Sequence, residues 1–415
     1  MRLMVRTRLS LVFLSQYFAA GAWMVSLGSY MSKTLAFDSI IAAAYSMVGF
    51  ATIGATLFVG VIADRFFNAQ KVLAFLSFGA AASLLWLSTI RDSPNLFLGV
   101  MLLHCVFYVS AIPMLATIAF NAIENPGKDY PGIRVFGSIG WVIGGLVVGM
   151  IAGAGRSNLP MLIAGGTYLA QGFYALTLPK TPPPVQGQKI SVLGLFGFDI
   201  LQRVRNASFW ILMACVLFVV IPKKFYDSYA NLFFVEKGLS FKFDGLVFEP
   251  TAIQTLGQIA EIPFMLMIPF LIARIGIKWV MVLGMVGWVV RFGLFAFGFS
   301  GDQAITSMLV AGILMHGLSY DFFFVSGQIY LDRLFDKEMR ARAQAFYWFV
   351  LSGLGVVLGA FAAGSVYHRF STQDHARDWM SIWLSPAAVT VIVALLFAWW
   401  FRQPPALKQA QTAEP

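Results

Sequence analysis

Leu256-Gly-Gln-Ile-Ala-Glu261-Ile-Pro-Phe-Met-Leu-Met-Ile-Pro-Phe270 decides the fold class. It lies in an apolar run long enough to cross a bilayer, which takes about 20 helical residues. Gln258 and Glu261 stand three residues apart in it, on one helical face. A carboxylate in hydrocarbon costs about 3 kcal/mol on the lower scales and more on others. A chain this apolar keeps one where it faces water, a partner or a substrate.

Working outward, the whole chain has the same character. Of its 415 residues, 59% are hydrophobic and 12% charged, against about 25% charged in soluble domains. That shortfall, with apolar runs in succession, indicates an all-α membrane protein that crosses the bilayer many times. The net charge of +10 reads as a positive-inside bias rather than as a nucleic-acid surface. Cys105 and Cys215 sit in separate apolar runs and read as packing residues. The basic start, Met1-Arg-Leu-Met-Val-Arg-Thr-Arg8, imitates a signal peptide. With so many later spans, an uncleaved first helix is the better reading.

Twelve helices are expected: about Leu9–Tyr30, Ile40–Ala63, Val72–Thr89, Asn95–Ile123, Val135–Ala154, Leu159–Leu178, Phe209–Phe234, Ala252–Ala273, Trp279–Phe299, Ile305–Ile329, Ala343–Val366 and Met380–Phe401. Between the sixth and seventh runs Pro179-Lys-Thr-Pro-Pro-Pro, which cannot continue a helix. The expected plan is therefore a six-helix bundle over 1–178, a cytoplasmic linker over 179–208, a second six-helix bundle over 209–402 and a cytoplasmic tail over 403–415. With both termini in the cytoplasm, inside segments hold nineteen Lys and Arg and outside loops nine, Lys223 and Lys224 among the nine. Arg291 falls inside a helix. That excess favours cytoplasmic termini.

The halves echo one another. Leu57-Phe-Val-Gly-Val-Ile-Ala-Asp-Arg65 onward parallels Leu266-Met-Ile-Pro-Phe-Leu-Ile-Ala-Arg274 onward, at the end of the second helix of each half. Arg134-Val-Phe-Gly-Ser-Ile-Gly-Trp141 echoes Arg342-Ala-Gln-Ala-Phe-Tyr-Trp348-Phe, in the fifth. Two related halves around a midplane site is a transporter plan. Gly60-Val-Ile-Ala-Asp64-Arg65 resembles the short cytoplasmic-loop motif of the major facilitator superfamily.

Several polar residues in apolar runs are candidates for function, and each has a bland counterpart. Gln258 and Glu261 can contact a substrate and carry a proton, or merely staple two helices. A carboxyl group shielded from water holds its proton more readily. Asp321, in His316-Gly-Leu-Ser-Tyr320-Asp-Phe-Phe-Phe324, follows the same logic. Tyr320 can stack on a flat ring, and Phe322–Phe324 can equally be core. Lys224, Asp227 and Asn231 fall on one face of the seventh run, just after Pro222, or else in a solvated outer loop. Arg134 opens the fifth run, with Ser138 and Trp141 after it, as a substrate contact or as an interfacial arginine reaching lipid headgroups. Arg291, if deep, calls for a carboxylate partner. Gly140, Gly144, Gly145, Gly149, Gly355 and Gly359 permit close helix approach. No Gly-Lys-Ser/Thr follows a glycine loop, and no metal-ligand or nucleophile–base set is present. Nucleotide hydrolysis and enzymatic chemistry are therefore not expected, nor is a cofactor.

Along nearly its whole length the chain resembles the bacterial nucleoside:proton symporters of the major facilitator superfamily. The resemblance rests on Trp23 with Leu27-Gly-Ser-Tyr-Met31, Asp64-Arg65, Pro131-Gly-Ile-Arg134 with Gly137, Gln258-Ile-Ala-Glu261, Arg274-Ile-Gly-Ile-Lys278, Tyr320-Asp321-Phe322 and Arg342-Ala-Gln344. It implies proton-driven nucleoside import across the inner membrane by alternating access, as a monomer in the lipid bilayer. Matching positions imply substrate contacts at Arg134, Ser138, Trp141, Gln258, Glu261, Tyr320 and Asp321, with Glu261 and Asp321 in proton coupling. Lys224 and Asp227 stand where that family typically has neutral residues, and can neutralise one another or select a more acidic ligand. A transporter of another polar solute such as a sugar, or a transporter-like receptor, are the alternatives.

Overall fold

Hydrocarbon offers no partner to a backbone amide, so apolar runs of this length satisfy their own N–H and C=O groups as helices. The computed structural model describes residues 2–63, 67–182, 196–198, 200–372 and 376–403. Asp64 and Arg65 of the expected loop motif, most of the expected linker and the tail beyond residue 403 lie outside them.

Besides a one-turn helix at Ile200–Arg203, the α-helices begin with α1 (Arg2–Met24), α2 (Leu27–Lys33), α3 (Ile41–Ala63), α4 (Ala69–Leu87), α5 (Pro94–Ala122), α6 (Pro126–Gly149), α7 (Leu159–Leu176) and α8 (Ala207–Glu236). After a hairpin of β1 (Phe241–Phe243) and β2 (Leu246–Phe248) come α9 (Pro250–Ile275), α10 (Ile277–Phe297), α11 (Thr306–Leu314) and α12 (His316–Tyr320). Then follow α13 (Ser326–Leu334), α14 (Lys337–Trp348), α15 (Gly355–Arg369) and α16 (Trp379–Trp400). Side-chain oxygens close several helix starts. Ser93 accepts from Leu96 N, Asn206 from Ser208 N, Asp336 from Met339 N and Asp378 from Ser381 N.

Among the described residues, eleven stretches are long and apolar enough to cross a membrane. Leu159–Leu176, expected as the sixth span, is helical but not one of the eleven. Gln171, Thr167 and three glycines lower its hydropathy. Gln171 has a structural use: its amide donates to Gln16 Oε1 at 2.7 Å and accepts from Ser15 Oγ at 2.9 Å.

Three expectations are corrected. The first run is interrupted at Val25-Ser26, and the Tyr45 hydroxyl from α3 stitches the gap. It donates to Met24 O at 2.9 Å and accepts from Gly28 N at 3.2 Å, meeting groups that a helix break leaves unpaired. The fifth run begins at Pro126, so Arg134 lies more than two turns inside α6 rather than at its opening. Lys223 and Lys224 are not in an outer loop, because α8 continues through Pro222 to Glu236.

The chain forms two compact units. One comprises Met1–Ile190 with Ser240–Thr255, and the other Ser191–Leu239 with Leu256–Pro415. In the first, α1 packs chiefly on α6 and α4 on α7. Small residues make the α1–α6 seam. A Cβ at Gly144 would meet Ala22 N at 3.0 Å and the Phe18 carbonyl carbon at 3.1 Å. In the second, α8 packs on α15 and α10 on α16.

Gly144→Ala therefore forces two backbones apart and is expected to cost about 1–3 kcal/mol. Gly166, on α7, has open space around it. Gly166→Ala is expected to be neutral or to stabilise by up to about 1 kcal/mol through helix propensity. Thermal unfolding of the two purified variants, compared with the parent, checks this.

Candidate functional site

Close helix crossings build the site of the second unit. A Cβ at Gly317 would lie 2.7 Å from Glu261 Cα and 2.8 Å from Ala260 O. One at Gly257 would lie 3.1 Å from His316 Cβ. On α10, Gly284 faces the backbone of Phe322 and Phe323, and Gly287 faces Ser319. Arg291 is one turn beyond Gly287. The glycines thus bring α9, α10 and α12 close enough for short polar contacts.

Those contacts form a chain. Arg291 Nη1 lies 2.7 Å from His316 Nδ1, and His316 Nε2 lies 3.0 Å from Glu261 Oε1. Arg291 is fully buried, while the Glu261 side chain keeps 23% of its surface exposed. The carboxylate is thus the accessible end of a buried polar row. On its other side Arg291 lies 3.7 Å over the ring of Tyr226, a cation–π contact that is worth most where water is excluded. The carboxylate expected for Arg291 is present, but one imidazole away.

On α8, Asp227 Oδ2 accepts from Lys223 at 2.6 Å and from Lys224 at 3.2 Å. The Lys224 side chain is 6% exposed. Its stem runs past Gly359 of α15, where a Cβ would meet Lys224 Cγ at 2.9 Å. The solvated-loop reading of these charges is therefore set aside. Lys223 Nζ also stands 6.0 Å from the Tyr320 ring centroid, and Tyr320 stacks on His316 at 5.8 Å. The α8 charges and the Glu261 row thus meet around two rings.

Asp321 opens a π-helical turn, Asp321–Val325, between α12 and α13. Such turns are frequent at functional sites. Asp321 is buried, and its Oδ2 has no hydrogen-bond partner among the described residues. Phe322, Phe323 and Phe324 are core. Gln258 lies one turn before Glu261 on α9, half-buried. In the first unit, Arg134 lies 4.6 Å over the ring of Tyr17. Trp141 is half-buried with its Cα against Gly21, and Ser138 is exposed.

Within the second unit the structure therefore links Lys224, Asp227, Tyr320 and Glu261. It adds Arg291, which the sequence had marked only as needing a carboxylate partner, and Lys223, Tyr226 and His316, which were not among the expected site residues. The available signal was an ionisable residue, Arg291 in the ninth run and His316 in the tenth, close to glycines in the same apolar run. Among the described residues, no group of His, Cys, Asp and Glu could hold a metal ion.

Known proteins resemble this chain along its length. A family model described as nucleoside H+ symporter matches residues 3–406. YegT of Escherichia coli strain K12 is 34% identical over 407 residues, covering 95% of this chain and 93% of its own. The xanthosine permease of the same strain is 32% identical over 410 residues, covering 96% of each. A crystal structure of the nucleoside transporter NupG, an aspartate-to-alanine mutant, aligns with a TM-score of 0.88 and 26% identity, covering 96% of this chain and all of that one.

The charge arrangement sets an order of sensitivity. Lys223→Gln leaves Asp227 paired with Lys224. Asp227→Asn leaves two poorly solvated cations without their shared counter-charge, a change costing about 3–5 kcal/mol in buried pairs and less here, since Asp227 keeps 24% exposure. The thermal midpoint is expected to fall clearly further for Asp227→Asn than for Lys223→Gln.

Proposed function

The chain belongs to the nucleoside H+ symporter family, a family of transporters and not of enzymes, and from that premise we propose that it imports nucleosides together with protons across the bacterial inner membrane. The observation that carries the reading is Glu261. It is a partly exposed carboxylate within an apolar span, with a buried imidazole and guanidinium behind it. A ligand that binds the protonated site better must, by linkage, promote its protonation. That reciprocity is the coupling. Glu261 is the first proton carrier in this reading, with Asp321 as the second carboxyl that carries or senses it.

The proposed architecture is twelve transmembrane helices in two six-helix halves, 1–178 and 209–402. A cytoplasmic linker over 179–208 joins them, a cytoplasmic tail covers 403–415, both termini are cytoplasmic, and the protein works as a monomer in the lipid bilayer. Access alternates as the two bundles rock about a midplane cavity. Gln258, Arg134 and Asp227 hydrogen-bond the ribose or base, with Ser138 beside Arg134, and Trp141 and Tyr320 supply ring faces.

Labelled uridine and adenosine uptake into proteoliposomes tests the reading. An inward proton gradient is expected to drive accumulation that a protonophore abolishes. Glu261→Gln is expected to retain some nucleoside binding and to lose accumulation; undiminished uphill uptake by that variant refutes the coupling role.

Two lysines share one aspartate on α8, so the trio carries net positive charge. It favours a nucleoside bearing negative charge, such as one with an ionised base, with Lys224 as the selecting group. Such a ligand is expected to compete with labelled uptake more strongly than its neutral counterpart, and the advantage should shrink in Lys224→Gln.

A further inference from the structure

We propose that Arg291 and His316 form a positioning pair that holds the Glu261 carboxylate in its working orientation, an inference that rests on Glu261 being the coupling carboxylate. A guanidinium has five donors and no acceptor. At 2.7 Å from Arg291 Nη1, His316 Nδ1 must therefore be the accepting nitrogen. In a neutral imidazole the ring hydrogen then sits on Nε2, the nitrogen 3.0 Å from Glu261 Oε1. Arginine thus selects the tautomer, and the tautomer aims a donor at the carboxylate. The partner of one ring nitrogen sets the role of the other.

Packing fixes each member. Tyr226 lies under the guanidinium at 3.7 Å and tilts against the His316 ring at 5.8 Å, while Tyr320 stacks on that ring. The Gly257 and Gly317 crossing sets the distance between His316 and Glu261, leaving little room for either backbone to shift. The charged and titratable groups around the imidazole are Lys223 and Tyr226 on α8, Glu261 on α9, Arg291 on α10 and Tyr320 on its own segment. Of these, Glu261 and Arg291 reach its nitrogens directly. Both ring nitrogens of His316 are engaged, one by Arg291 and one by Glu261, so it acts through Glu261 rather than on a solute.

The test uses the full chain in liposomes and has two independent readouts. Nitrogen-15 NMR of histidine-labelled protein, with the His316 signal identified by its loss in His316→Gln, is expected to show a bare Nδ1 and a protonated Nε2. This measurement needs no substrate. In uptake, His316→Gln still offers one acceptor and one donor, whereas His316→Phe keeps the ring stack and offers neither. Gradient-driven uptake is expected within about threefold of the parent for Gln, and about tenfold or more lower for Phe with KM little changed. An Nδ1–H tautomer, an equal loss in both variants or parental uptake by the Phe variant would overturn the pair. If the parent moves no nucleoside at all, the symport reading fails instead, and the NMR tautomer still decides the pair.

Discussion

A guanidinium wholly removed from solvent has to be answered by the protein around it, and Arg291 is such a group. Left alone in an apolar interior, its charge would cost several kcal/mol. The answer here is spread over three helices: the Tyr226 face from α8, the His316 nitrogen from α12 and, behind it, the Glu261 carboxylate from α9. None of these groups could move far without stranding the cation. The polar row therefore ties together the helices that carry the candidate proton-handling residues.

The glycines are the other half of this constraint. Short polar contacts between helices need backbones closer than ordinary side chains allow, and Gly257, Gly284, Gly287 and Gly317 supply that approach around the row. The same device recurs in the first unit, where Gly21, Gly140 and Gly144 let α1 and α6 meet. Van der Waals packing of small residues is a main source of helix association where lipid is as apolar as the side chains. Polar contacts then specify which faces meet. Gln171 with Gln16 and Ser15 does so in one unit, and the Arg291 row in the other. The α8 trio adds a local version, with Asp227 answering Lys223 and Lys224 without leaving its own helix.

Most helices were legible in the chain because length and hydropathy set them. Each run had to satisfy its backbone internally, whatever its neighbours did. The Glu261 and Asp227 signals were legible for the same reason, since a charge in an apolar run is conspicuous without any partner in view. Arg291 was conspicuous too, and its need for a partner followed from burial, although the nearest partner proved to be an imidazole. The exact helix ends, the break bridged by Tyr45 and the π turn at Asp321 were not legible. They depend on hydrogen bonds and packing that local sequence does not contain.

The sequence by itself determined a multi-helix membrane protein, the residues whose charge demands explanation and the family to which they point. Hydropathy and charge are properties of each residue, so they can be read in order along the chain. Only the tertiary structure decided that His316 stands between Arg291 and Glu261, and that Lys224 is buried rather than solvated. Those facts arise where helices distant in sequence cross. A contact between α9, α10 and α12 depends on which faces their glycines bring together, and no one of the three runs carries that information alone.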